Sequence, residues 1–156
     1  MLTGTQLEAL HYEPETGVWI WISPPNHNGD LKGKVAGNVG ADGYRKIRIN
    51  GSLYVASRLA WLWMTGDWPE NEIDHIDRDP SNDAWSNLRE ATSSQNKWNR
   101  GGEGLRGIYR SGSRWWAMAG RNNYLGTFDT VEEASRARDL AAAQMSEGFA
   151  ILNERV

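Results

Sequence analysis

The amino-acid sequence predicts an α+β fold: an N-terminal β-hairpin region, a strand–loop–strand–helix stretch, and a small three-stranded antiparallel sheet packed on one helix. Three observations carry that expectation. Basic and apolar residues alternate on either side of Asn50-Gly51, a dipeptide that supplies the positive φ angles of a tight hairpin turn. Thr92 with Gln95, and Thr130 with Glu133, have the spacing of capping boxes, so each pair opens a helix. Beyond "RGGEG" (100–104) the pattern changes to three strand-length runs, "LRGIYR", "RWWAMAG" and "YLGTF", separated by turn residues.

In chain order, "GVWIWI" (17–22) is read as a strand and "PPNHNGD" (24–30) as a loop. In the hairpin "GYRKIRINGSLYVAS" (43–57), Tyr44, Ile47, Ile49, Leu53 and Val55 supply apolar positions beside a basic surface of Arg45, Lys46 and Arg48. "SRLAWLWMTG" (57–66) is a helix with Ser57 as N-cap, Leu59, Leu62 and Trp63 on a buried face, and Gly66 just past its end. The chain then turns at Trp68-Pro69, enters a strand near Ile73, loops to Trp85 and extends through "SNLREA" (86–91) into the helix opened by Thr92. A Gly-rich linker at 101–104 separates a domain of residues 1–100 from one of 105–156. The last helix runs to about Met145; Ala134, Ala137, Ala141 and Met145 fall at helical spacing and face the sheet, and Gly148 is the stop.

Composition narrows the function classes. The absence of cysteine excludes disulfides and thiolate zinc sites. No apolar run is long enough to span a membrane, and the start lacks the basic and apolar regions of a secretory signal, so a cytoplasmic protein is expected. The nine tryptophans are read mainly as core. A net charge of −3 speaks weakly against nucleic acid, yet the charges are blocked. Lys32, Lys34, Arg45, Lys46, Arg48 and Arg58 face Asp42 alone between Leu31 and Arg58, and Arg106, Arg110, Arg114 and Arg121 face Glu103 alone between Gly101 and Phe128. A phosphate backbone feels such local fields more than the sum.

The stretch "EIDHIDRDPSNDAWSNL" (72–88) crowds Glu72, Asp74, Asp77, Asp79 and Asp83 around His75. These acids repel one another, so a positive partner is expected: an arginine network, a bound metal ion, or nothing more than solvent. Asp74 and His75 adjoin on a strand and should leave on opposite faces, which would let one hold a metal while the other meets substrate. Asp74 and Asn96 offer oxygen ligands of the kind Mg²⁺ or Mn²⁺ prefers, and a neutral imidazole is a competent base for water near pH 7. Asp77, Asp79, Ser81 and Asp83 alternate as in half a calcium loop, but Asn82 stands in place of its glycine and Leu88 in place of its glutamate. Asp77 and Asp79 are therefore read as turn caps around Pro80. Spacing by itself leaves structural and catalytic roles for Asp74 and His75 both open.

"EIDHIDRDPSNDAWSNLREATSSQN" resembles the core of the HNH endonucleases, especially those of phages and mobile introns. Asp74-His75, Asn87-Leu88 and Asn96 stand at the motif positions, with intervals of twelve and nine residues from His75 to Asn87 to Asn96. The similarity is strong over residues 43–100 and fainter over 1–42. It implies a ββα-metal module in which His75 is the general base, Asp74 and Asn96 hold Mg²⁺ or Mn²⁺, and Asn87 orients His75 and steadies the loop. It also implies hydrolysis of DNA phosphodiesters to 5′-phosphate and 3′-hydroxyl ends. Asparagine replaces histidine as the third motif residue, which favours an oxygen-loving ion over zinc, and Ser57 stands where many relatives have histidine.

The tail from Gly107 resembles the plant ethylene-response-factor type of DNA-binding domain, through "RGIYR", Trp116-Ala117, "YLGTFDT", the alanine-rich helix and Leu152-Asn153. That likeness places Arg106, Arg110, Arg114, Trp116 and Arg121 on a sheet facing double-stranded DNA. Strand alternation turns one of Trp115 and Trp116 inward, and the negative helix residues Glu132, Glu133 and Asp139 should face away from DNA. Together the resemblances imply a phage or mobile-element nuclease acting as monomer or homodimer in the host cytoplasm, its binding falling steeply with salt. The other reading is a non-catalytic DNA-binding protein that retains an HNH scaffold.

Overall fold

The computed structural model describes residues 7–24, 29–100 and 105–153. The expected linker at 101–104, and most of the "PPNHNGD" loop, lie outside the described residues. The fold is α+β, with small antiparallel sheets and, among the described residues, three helices of seven residues or more. Packing divides the chain into two compact units, Met1–Ala91 and Thr92–Val156.

The first unit begins with β1 (Leu10–Glu13) paired to β2 (Val18–Trp21). β3 (Asn38–Val39), β4 (Arg45–Ile49) and β5 (Ser52–Val55) form a second sheet in that order. Asn50 and Gly51 take φ values of 48° and 83°, the positive pair that a two-residue hairpin requires. Helix α1 (Ala56–Thr65) follows directly, and β6 (Glu72–His75) pairs with β7 (Leu88–Ala91) across a long loop. Leu10, Tyr12, Trp19, Ile47 and Leu59 are the fully buried apolar centre, against which Trp61, Trp68 and Trp85 pack. The tryptophans of this unit are thus mostly core.

Two details of α1 depart from expectation. Ser57 is not the cap: the helix starts at Ala56, Val55 occupies the cap position without a side-chain bond, and Ser57 is buried inside the first turn. β5 runs straight into the helix, so no loop residue is available to cap it. Leu59 and Leu62 are buried as expected, but Trp63 is 36% exposed, its ring edge-on to Trp19. Gly66 closes the helix in the left-handed conformation, its N–H donating to the Leu62 carbonyl.

The second unit opens with α2 (Ser93–Asn99), whose Thr92–Gln95 capping box forms as read from the sequence. Its contacts explain why α2 groups with the tail: Gln95 donates to Glu147 at 2.9 Å, and the Ile151 N–H donates to the Trp98 carbonyl. β8 (Ile108–Ser111), β9 (Arg114–Ala119) and β10 (Asn123–Phe128) form the predicted sheet, with β9 central. Helix α3 (Val131–Ser146) packs on it behind the Thr130–Glu133 capping box. Glu147 and Gly148 then take positive φ and end the helix. Trp115 packs in the core with Ile108, Ala117 and Ala134, while Trp116 lies on the other face.

The face of α3 that is buried differs from the alanine row. Ala134, Ser135, Arg138, Asp139, Ala142 and Ser146 are buried, and Met145 is 50% exposed. The reason is polar. Arg138 donates to Asp139 and to the Ile151 carbonyl, and Asp139 accepts the N–H of Asn153, so the helix turns this pair inward and closes the chain end onto it. Asp139 is therefore a buried structural acid rather than part of a solvent-facing negative face.

Asn153 completes that closure by accepting the Arg106 N–H and donating to the Arg106 carbonyl, both at 3.0 Å. Truncation leaves two backbone groups without their partner in a largely buried place. Asn153→Ala is expected to lose about 1–3 kcal/mol of stability in urea unfolding; a loss below about 0.5 kcal/mol would show that water replaces the side chain.

Candidate active site

Asp74 and His75 end β6, where both are 5% exposed. The ladder sets Asp74 directly opposite Arg89 and His75 opposite Leu88. Arg89 Nε donates to Asp74 Oδ2 at 2.8 Å, a pair nearly out of solvent on the carboxylate side. His75 Nε2 lies 3.1 Å from Asp83 Oδ1, with the carboxylate only 2% exposed. The Tyr44 ring covers the imidazole at a centroid distance of 5.8 Å. The two neighbours thus meet different partners, as side chains from opposite faces of a strand should.

The loop from Ile76 to Asn87 is built from side-chain bonds to backbone. Asp77 accepts the Asp79 N–H, and Asp79 accepts the N–H and hydroxyl of Ser81, the turn-capping role that the sequence suggested. Asn87 binds across this loop: it accepts the Asp77 N–H and donates to Asp77 Oδ1 and to the Asn82 carbonyl. Asn87 thus bridges the two ends of the loop, and a carboxylate, Asp83, is bonded to His75.

Electrostatics follow from these contacts. Partial burial works against ionisation of Asp77, but the bonds from Asn82, the Asp79 N–H and Asn87 outweigh it and hold its carboxyl below the ordinary range. Asp79 is lowered chiefly by Ser81. Asp83 goes the other way: burial pushes it up, against the pull of the His75 hydrogen bond and charge. Tyr12, whose hydroxyl donates to the Asp83 carbonyl at 2.6 Å, is raised by burial and then by the Asp83 charge.

No group of three or more His, Asp or Glu side chains that could hold a metal ion occurs among the described residues. Asp74 belongs to the first unit and Asn96 to the second, and each carries a hard oxygen donor. Oxygen donors of this type suit an ion that keeps most of its water, as Mg²⁺ does. Asn96 stands at the middle of α2, its N–H donating to the Thr92 carbonyl.

The basic residues nominated for DNA belong to both units, and most have partners within their own. Arg45 donates to the Gly37 carbonyl, Lys46 pairs with Asp42 at 2.6 Å, and Arg48 donates to the Gly51 carbonyl, all within the β3–β5 region. Arg106 has its backbone clamped by Asn153. Arg110 lies over the Trp115 ring and Arg114 pairs with Asp129. Arg121 is exposed in the turn after β9. The register puts Tyr109 opposite Trp116 and Arg110 opposite Trp115, which separates Arg110 from Trp116 by face.

Sequence reasoning missed two things. Tyr109 stacks on Trp116 at 4.2 Å and Tyr124 flanks the same ring at 6.5 Å, an exposed aromatic row that alternation and hairpin register could have predicted. In the sequence Asp83 stands only in the alternating acidic pattern. Its partner His75 lies eight residues away through a loop without periodicity, so no spacing rule marks the pair.

A family model described as HNH endonuclease matches residues 54–97, less than a third of the chain but including Asp74, His75, Asn87 and Asn96. None of the curated proteins compared with the chain matches it.

Because the folded-state pKa of Asp77 lies below its unfolded value of about 3.9, its bonds stabilise the protein above that value and are lost as pH falls through the lower one. Asp77→Asn is therefore expected to lower the urea midpoint at pH 6 and to converge on the parent protein toward pH 3. Parallel curves at both pH values would show that the carboxylate charge contributes nothing to the loop.

Proposed function

We propose that the segment from Tyr54 to Lys97 is a metal-dependent DNA endonuclease centre of the HNH type, hydrolysing phosphodiesters to 5′-phosphate and 3′-hydroxyl ends. One observation carries this reading. Inside the stretch that matches the HNH endonuclease model, a carboxylate-held imidazole and a second buried carboxylate occupy consecutive positions of one strand. A purely structural loop has little use for both.

In this reading His75 accepts the proton of the attacking water. Asp74 is the carboxylate ligand of Mg²⁺ or Mn²⁺, and Asn96 enters as a second oxygen ligand on the family resemblance alone. When bound, such an ion offsets the charge that grows on the phosphate and on the leaving 3′ oxygen. Arg89 holds Asp74 in one orientation. Asn87 keeps the loop after β6 in a single shape through Asp77 and Asn82.

The second unit is proposed to bind duplex DNA through its sheet. The Arg114–Asp129 pair is exposed on both sides, and exposed pairs contribute little, so a phosphate can replace Asp129 at small cost. Trp116 and its two tyrosines add flat apolar surface. Arg106, Arg110 and Arg121, with Arg45, Lys46 and Arg48 of the first unit, remain the other candidate contacts.

A non-catalytic DNA-binding protein is the second reading, favoured by the near-complete burial of Asp74 and His75 and by their protein partners. Conversion of supercoiled plasmid to open-circle and linear forms with Mg²⁺ or Mn²⁺ separates the two. Cutting is expected to need the metal and to fall at least about 10²-fold in His75→Ala. Equal cutting by both proteins excludes His75 as the base. DNA binding without cutting by either favours the second reading.

A further inference from the structure

We propose that Asp83 is the positioning residue of this centre: its carboxylate accepts the Nε2 proton of His75, fixes that tautomer of the ring, and places the lone pair on Nδ1. The assignment of His75 as a base rests on the nuclease reading above; the tautomer does not.

The chemistry of the pair gives the direction. In the proposed state Asp83 is ionised and only accepts hydrogen bonds, so the ring nitrogen 3.1 Å from its Oδ1 carries the hydrogen. A neutral imidazole has one N–H and one lone pair, and the lone pair is then on the other nitrogen. The contact is nearly dry, with side-chain exposures of 4% for His75 and 2% for Asp83, so water competes little for either partner.

Asp83 is held in place from outside its own loop. Tyr12, itself 1% exposed, donates its hydroxyl to the Asp83 carbonyl at 2.6 Å. The Trp85 N–H donates to the Pro14 carbonyl at 2.8 Å. Gly17 takes a φ of +72°, and a Cβ there would stand 2.2 Å from the Asp83 carbonyl carbon, so only glycine lets the β1–β2 turn lie against this residue. Three points of one hairpin converge on the segment from Asp83 to Trp85. Precise placement of this kind is what a group aiming an imidazole needs.

The carboxylate is also a cost to the fold. Its Oδ2 is buried without a hydrogen-bond partner among the described residues. A buried acceptor left unmet is unfavourable, and a neutral group of the same shape would avoid the charge. The hold on His75 accounts for a charge in a place where stability does not ask for one.

The test reads the ring directly. Nitrogen-15 spectra of His75, taken near pH 8 on the full chain without metal or DNA, are expected to show the Nε2–H tautomer. An Nδ1–H tautomer in the parent protein overturns the proposal without any variant. In Asp83→Asn the amide can donate as well as accept, so the tautomer should become mixed or reversed while thermal unfolding stays close to the parent. Asp79→Asn, in the same loop and exposed, should leave the spectrum unchanged. Plasmid cutting by Asp83→Asn should fall on the order of 10²- to 10⁴-fold in kcat with KM little altered, the loss expected when a carboxylate behind a catalytic histidine becomes an amide. An unchanged tautomer with parental cutting leaves the pair structural only. If the parent protein cuts no DNA, the nuclease reading fails and the spectra still decide the tautomer.

Discussion

Asp74, Asp77, Asp79 and Asp83 lie within ten residues of one another, and such a loop exists only if each charge is answered. The protein meets each with a group of its own, while Asp83 Oδ2 has no hydrogen-bond partner among the described residues. Arg89 takes Asp74, His75 takes Asp83, amides and a backbone N–H take Asp77, and Ser81 takes Asp79. These contacts tie the loop together through side chains and backbone of the protein itself. In the function proposed above, a divalent ion would enter with substrate, where a phosphate adds negative charge.

That accounting links the parts of the first unit. The β6–β7 ladder sets Arg89 against Asp74, and Asn87 ties the two ends of the loop together. The β1–β2 hairpin, far away in sequence, closes over the Asp83 segment through Tyr12, Pro14 and Gly17. Tyr12 also stacks near Trp19, one of the most buried side chains, so the placement of Asp83 is anchored in the hydrophobic core. Core packing and site geometry are one problem here: a loosened hairpin would release Asp83 and then His75. The second unit solves its closure similarly, with Arg138, Asp139 and Asn153 drawing the chain end onto α3.

Local chemistry was legible in the sequence, and long-range chemistry was not. The Asn50-Gly51 turn and both capping boxes depend on residues within four positions of each other, and all three form as read. Ser57 misled because its residue type suits a cap, whereas strand β5 leads into the helix without a loop. The buried face of α3 was misread because Arg138 and Asp139 look like surface residues until each finds the other and the chain end. Asp74 and His75 stood out by composition and by resemblance. Asp83 could not, since the contact that holds it comes from Tyr12, 71 residues earlier.

In the proposed function this strand-and-loop arrangement hydrolyses a DNA phosphodiester. The chemistry of the broken ends tests it most directly. Open-circle plasmid produced by the protein in Mg²⁺ should be resealed by DNA ligase with no prior treatment, because the nick carries 5′-phosphate and 3′-hydroxyl. Nicks that ligase seals only after phosphatase and kinase treatment would contradict the account, since the phosphate would then have stayed on the 3′ side.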